Sequence, residues 1–183
     1  MMMVHLTNSK PLKSAQEVAV DCLSRRPLTH YELETRLKEK GYQSLEVKEV
    51  LEKMAKLGYL NDQDLALTVS QSRLKRYSQR RVRQDLQNRG LEPHVIEQAL
   101  ELTYSSDDEF QQCLTLAERW WLQESKRWEQ RVQDQNKDTR TALPRQLLLQ
   151  QKVARKLVQR GYPSDMVRNV LYQIQTNSND NTQ

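Results

Sequence analysis

Three times along this chain an apolar residue is followed four positions later by Leu, and four after that by Gly. The sets are Leu33, Leu37, Gly41; Val82, Leu86, Gly90; and Val153, Leu157, Gly161. After each Gly, apolar residues return at offsets six, nine and ten: Val47, Val50, Leu51; Ile96, Ala99, Leu100; Val167, Val170, Leu171. A spacing of four places two side chains on one face of a helix, and the Gly accepts the left-handed conformation that ends it. Ser44, Pro93 and Ser164, three residues beyond each Gly, suit the opening of a new helix. Each unit therefore predicts helix, stop, helix. In the first, Thr29 and Glu32 have the spacing of a capping box.

A further amphipathic pattern precedes each pair, over about residues 14–25, 62–77 and 107–128. The predicted fold is all-α: three tandem three-helix, helix-turn-helix-like repeats forming an elongated, curved array. The expected division is an N-terminal arm over 1–13 and repeats over 14–57, 58–104 and 105–175, then a disordered, Asn- and Ser-rich tail over 176–183. Gly-to-Gly spacings are 90 − 41 = 49 and 161 − 90 = 71, so the third repeat carries 71 − 49 = 22 extra residues. They fall at 122–143, a polar, Trp128-containing insert predicted to continue the preceding helix and then form a loop over 133–141. A period near 49 differs from the 34 residues of a tetratricopeptide unit and the 33 of an ankyrin unit.

Composition agrees with thin modules. Only 37% of the 183 residues are hydrophobic, and 4 Gly and 5 Pro supply few phosphate loops or β-turns. No apolar run approaches the length of a membrane span, and the first residues lack a signal-peptide pattern. A cytoplasmic, monomeric protein is expected. Cys22 and Cys113 read as small buried hydrophobes in a reducing compartment rather than as a disulfide. His5, His30 and His94 share no ligand spacing, which argues against a metal site. No nucleophile–base grouping or phosphate loop is recognisable, so neither catalysis nor a cofactor is expected.

The net charge of +5 (29 Lys+Arg against 24 Asp+Glu) conceals three blocks. Residues 73–90 hold seven cations (Arg73, Lys75, Arg76, Arg80, Arg81, Arg83, Arg89) and one acid, Asp85. Residues 91–110 hold six acids and no Lys or Arg, and residues 144–174 hold six cations and only Asp165. If Ser78 caps its helix, Arg80 and Arg81 sit in the first turn, where the helix dipole disfavours cations. Arg76, Arg80 and Arg83 can share a stripe if the turn at Tyr77 permits. An anionic partner explains this placement; the plainer reading is a solvated face with Arg81 paired to Asp85. Lys152, Lys156 and Arg160, with Arg155 nearby, form a second cationic helix face, read alone as a solubilising surface.

Tyr42, Tyr59 and Tyr162 each follow a Gly, where folding back onto the core is favoured over stacking on a base. Trp121 and Trp128 share a helical face and Trp120 points elsewhere. One or two of them are expected to cap the third core, and an exposed one would mark a contact.

The segment Gly58, Tyr59, Leu60, Asn61, Asp62, followed by Leu65, Ala66, the basic run and Arg81, Val82, Asp85, Leu86, Gly90, resembles the RecX family, bacterial modulators of the recombinase RecA. The first module resembles the family through Leu33, Leu37 and Gly41, the third through Leu157, Gly161 and Tyr162. The chain departs from it at Leu65, where Phe is usual, and at Arg76-Tyr77-Ser78, where Gly-Tyr-Gly is common. The resemblance implies tandem three-helix repeats lying along the groove of a RecA–DNA filament, restraining its growth, ATP hydrolysis, strand exchange and the SOS coprotease step. It thereby implies a role in regulating DNA repair and homologous recombination. The basic residues of both blocks would then face the filament, with direct contact to single- or double-stranded DNA open. The competing reading is a stand-alone nucleic-acid binder built of helix-turn-helix-like modules.

Overall fold

Helices make up the regular structure of the described residues, 13–73, 75–133 and 144–180 of a computed structural model. In chain order they are α1 (Ala15–Leu23), α2 (His30–Glu39), α3 (Ser44–Lys56), α4 (Asp62–Arg73), α5 (Gln79–Asn88), α6 (Pro93–Glu101), α7 (Ser106–Gln133), α8 (Arg145–Gln159) and α9 (Ser164–Asp180).

Local chemistry sets the boundaries. Ser14 with Glu17, and Thr29 with Glu32, close reciprocal capping boxes on α1 and α2. Ser78 Oγ accepts from the Arg81 amide at 3.2 Å and starts α5. At the other ends, Gly41, Gly58, Gly90 and Gly161 all have positive φ. The amides of Tyr42, Leu91 and Tyr162 reach back to Leu37, Leu86 and Leu157, the closing bond of a Schellman turn.

The helices form three groups of three. Every helix pair with extensive packing lies inside one group, and no buried cluster crosses between groups. The apolar residues of the repeated pattern are the cores: Leu33, Leu37 and Val47 in the first, Val82, Leu86 and Ile96 in the second, Val153, Leu157 and Val170 in the third. Each core is small, so burial of apolar area is divided into three nearest-neighbour units rather than concentrated in one.

What joins the units is a repeated contact between helix ends. The N-terminus of α2 meets the C-terminus of α5: Thr29 Oγ1 donates to the Arg89 carbonyl at 2.7 Å. The N-terminus of α5 meets the C-terminus of α8: the Ser78 amide donates to the Arg160 carbonyl at 3.1 Å. The middle helices of the three modules thus abut end to end, the orphan carbonyls of one helix against the positive end of the next. The approach is close enough to require glycine. A Cβ on Gly90 would overlap the Tyr31 ring, and one on Gly161 would lie 2.6 Å from Ser78 Oγ and 2.7 Å from Arg81 Cβ.

Some expectations shift. α4 ends at Arg73, before the expected 77, and residues 75–77 form a turn. α7 continues to Gln133; the loop expected beyond it lies outside the described residues, as do most of the N-terminal arm and residues 181–183. α9 reaches Asp180, so helical backbone takes in 176–180, where the composition predicted disorder. Tyr162 is buried and Tyr42 half-buried, but Tyr59 is 62% exposed. There the next residue, Leu60, turns inward instead, its amide and that of Tyr59 both bonded to Met54 O.

Candidate functional site

The joint between the second and third modules gathers cations from both basic blocks. Arg160, at the end of α8, donates from Nη1 to the Arg76 carbonyl at 3.0 Å. Its guanidinium lies 4.9 Å from the Tyr77 ring centre and 5.6 Å from that of Trp120. Arg73 stands 5.3 Å from the Tyr77 ring, and Lys156 Nζ 5.8 Å from the Trp120 ring. The result is a ladder of Arg73, Tyr77, Arg160, Trp120 and Lys156, in which ring faces separate like charges that would otherwise repel. Trp120 is therefore the buried member of the three tryptophans, at 8% exposure, with Trp121 packed beside the same core.

Carboxylates anchor both ends. Asp85 binds Arg73 and, at a longer 3.4 Å, Arg81. Glu124, 4% exposed on α7, takes Lys156 at 2.7 Å, Arg127 at 3.0 Å and Lys152 at 3.3 Å. The Lys156 hydrogen bond holds its carboxyl down to about 2 against the opposing effect of burial, with Lys152 adding to it. A single buried acid thus ties α8 to the extended α7.

Other predicted contact residues serve inside the fold. Arg83 turns away from the Arg76/Arg80 stripe and forks onto Glu97 of α6 at 2.7 and 2.9 Å. Arg89 forks onto Glu32 at 3.1 and 2.8 Å and reaches the Pro27 carbonyl at 3.0 Å, locking the joint between modules one and two. Burial pushes the Glu32 carboxyl up, but Arg89, the Thr29 amide and Arg26 together hold it below its ordinary range. Asp62 supports the same joint, accepting from the His30 amide at 3.0 Å.

Lys75, Arg76, Arg80 and Arg155 are exposed, and their side chains make no ion pair with any described residue. Arg80 and Arg81 stand in the first turn of α5, as the Ser78 cap requires. They line a cleft of about 350 Å³ with Gln84 on one side and Val158, Gly161 and Ser164 on the other. Glu109 of α7 donates the anion this helix start lacks, accepting from the Gln79 amide at 2.7 Å. Neither Glu109 nor Glu124 stood out in the sequence, because each works across a module boundary or an insert. Part of the acidic block is thereby spent on internal pairing, through Glu97 and Glu109.

Among the described residues no three His, Cys, Asp or Glu side chains gather to hold a metal, and no helix is long and apolar enough to cross a membrane. Both cysteines are free, and burial pushes the Cys113 thiol up to about 12.

Two family models match in order: RecX, first three-helix domain, over residues 15–54, and RecX, second three-helix domain, over residues 61–100. The chain is 28% identical over 165 residues to a regulatory protein RecX of Trichlorobacter lovleyi, covering 89% of this chain and 97% of the relative. It is 24% identical to one of Legionella pneumophila, covering 90% and 97%. It is 32% identical over 108 residues to one of Caldanaerobacter subterraneus, a match that spans 58% of this chain and about half, 55%, of that relative's length. Among solved structures, RecX from Lactobacillus salivarius superposes with a TM-score of 0.65 at 19% identity over 88% of this chain and 95% of that one, a likeness of fold. Two consecutive family domains, a third unit built on the same plan and a likeness over most of the chain to regulatory relatives make one statement: the chain carries the first and second three-helix domains of RecX.

Proposed function

We propose that this protein modulates the recombinase RecA, mainly as an inhibitor, by lying along the groove of the RecA–DNA filament. In that position it restrains filament growth, ATP hydrolysis, strand exchange and the SOS coprotease step. The two RecX domains and the likeness to regulatory proteins RecX support the choice of partner. The observation that carries the mode of action is the joint between modules two and three. The two basic blocks, 73–90 and 144–174, meet there around Tyr77 and Trp120, and Arg76, Arg80 and Arg155 remain without an internal counter-ion among the described residues. A cation in the first turn of a helix, as Arg80 is in α5, costs local stability and is kept where an external anion completes it.

This narrows the contact set. Lys75, Arg76, Arg80, Arg81 and Arg155 meet the filament; Arg89 and Arg160 brace the joints between modules, while Arg73, Arg83, Lys152 and Lys156 brace single modules. Reversing Arg80 and Arg81 to Glu should weaken inhibition of RecA's DNA-dependent ATP hydrolysis at least tenfold while helix content is retained. Unchanged inhibition by a folded double variant would overturn this assignment.

A further inference from the structure

The 28-residue helix α7 carries six acids (Asp107, Asp108, Glu109, Glu118, Glu124, Glu129) and four cations (Arg119, Lys126, Arg127, Arg131), a sequence net of 4 − 6 = −2. Its surface reads differently. Glu109 caps α5, Glu124 is buried under Lys152 and Lys156, Glu129 pairs with Arg145, and Asp108 accepts from Ser105 Oγ at 2.6 Å. Arg119 and Lys126 are exposed and have no described counter-ion.

These two cations share one edge with Lys75. A cavity of about 530 Å³ is lined by Lys75, Arg119, Gln112, Thr115, Leu116 and Asp108. A second, of about 460 Å³, is lined by Arg119, Lys126, Gln123, Leu122 and Trp120. Arg119 is the wall common to both, so they form one groove running along α7 from the turn after α4. Arg119 and Lys126 are seven residues, hence about 10.5 Å, apart along the helix. Besides Asp108 at its far end and the apolar Leu116 and Leu122, the groove presents cations, the Gln123 carboxamide and the Thr115 hydroxyl, side chains of the kind that contact phosphate oxygens. The one ring that borders it, Trp120, is buried and contacted by Arg160 and Lys156, so it offers no platform for a base.

We propose that this groove seats the sugar-phosphate backbone of a nucleic-acid strand, with Lys75, Arg119 and Lys126 as its phosphate contacts and without reading base identity. An acidic protein surface is the disfavoured occupant, because only Leu122 offers an exposed apolar anchor along the groove. The inference rests on the nucleoprotein partner proposed above, and it can fail separately.

The test uses the full chain with a mixed-sequence single-stranded oligonucleotide and no RecA, across a salt series. The comparison is Lys75→Gln/Arg119→Gln/Lys126→Gln against a charge-matched control on module one, Lys40→Gln/Lys48→Gln/Lys56→Gln. Three lost phosphate contacts should reduce the log–log salt slope by about 2 and weaken binding more than tenfold at low salt. The control should change the slope little, and exchanging the oligonucleotide sequence should not matter. Absence of wild-type binding, or an equal effect of the control, would overturn the proposal. So would unchanged DNA binding by the triple variant with reduced inhibition of RecA, which would assign the groove to protein contact and leave the regulatory function standing. Loss of DNA binding by the variant in a chain that does not affect RecA would support the groove and remove the RecA reading.

Discussion

Thr29 Oγ1, at the start of α2, donates to the carbonyl of Arg89 at the end of α5 across 2.7 Å. The same meeting of helix ends recurs one module along, where the Ser78 amide donates to the Arg160 carbonyl. Because one geometry is used twice, the module angles are set by helix caps rather than by a shared apolar core, and the array's shape depends on a few polar bonds and two glycines.

The glycines separate conformation from contact. Gly41 has φ +90° with open space around it, so Gly41→Ala should cost about 1–2 kcal/mol from left-handed strain alone. Gly161→Ala meets both strain and the α5 cap, and should cost about 1–3 kcal/mol more. Urea denaturation gives both values. Solution scattering should show a changed shape for the Gly161 variant and none for the Gly41 variant.

Glu124 governs acid stability in the third module. Its carboxyl sits at about 2 when folded, against about 4.5 ordinarily, so its stabilisation is fully present above pH 4.5 and is lost as pH falls towards 2. The amount is about 2–3 kcal/mol. Glu124→Gln should remove that part of the pH dependence, and leave Lys152 and Lys156 without their counter-ion at every pH. Urea midpoints measured from pH 2 to 7 on both proteins test this.

Arg89 and Glu32 should be strongly coupled. Removing either breaks two charge-assisted bonds at a half-buried joint, costing about 1–3 kcal/mol. A double-mutant cycle of Arg89→Ala and Glu32→Gln should return a coupling energy above about 1 kcal/mol, whereas Arg83 and Glu97, more exposed, should couple by less.

Thiol chemistry should distinguish the two cysteines. Cys113 is fully buried, with its thiol pushed up to about 12, whereas Cys22 is half-buried. A disulfide-exchange reagent at pH 8 should label one thiol per native chain, at Cys22, and the second only on unfolding.

The helices and their ends were legible because the evidence for them is local. Leu33, Leu37 and Gly41 lie within nine residues, and Ser78 needs only its own next turn to cap α5. Charge blocks were legible as composition but not as partners. Arg83 looked like a third member of the Arg76/Arg80 stripe until Glu97, fourteen positions on, claimed it. Glu124 reaches lysines 28 and 32 positions away across the insert, and Arg160 reaches a carbonyl 84 positions back, separations that no helical periodicity encodes. Tyr59 and Tyr162 occupy the same position after a Gly, yet only Tyr162 is buried, since Leu60 fills the core in the first module.

The most direct measurement is RecA's ATP hydrolysis on single-stranded DNA, titrated with this protein at fixed salt. A protein lying along the filament groove should produce a saturating loss of hydrolysis, with a markedly right-shifted curve for Arg80→Glu/Arg81→Glu. Hydrolysis that stays constant up to a molar excess of folded wild-type protein would contradict it.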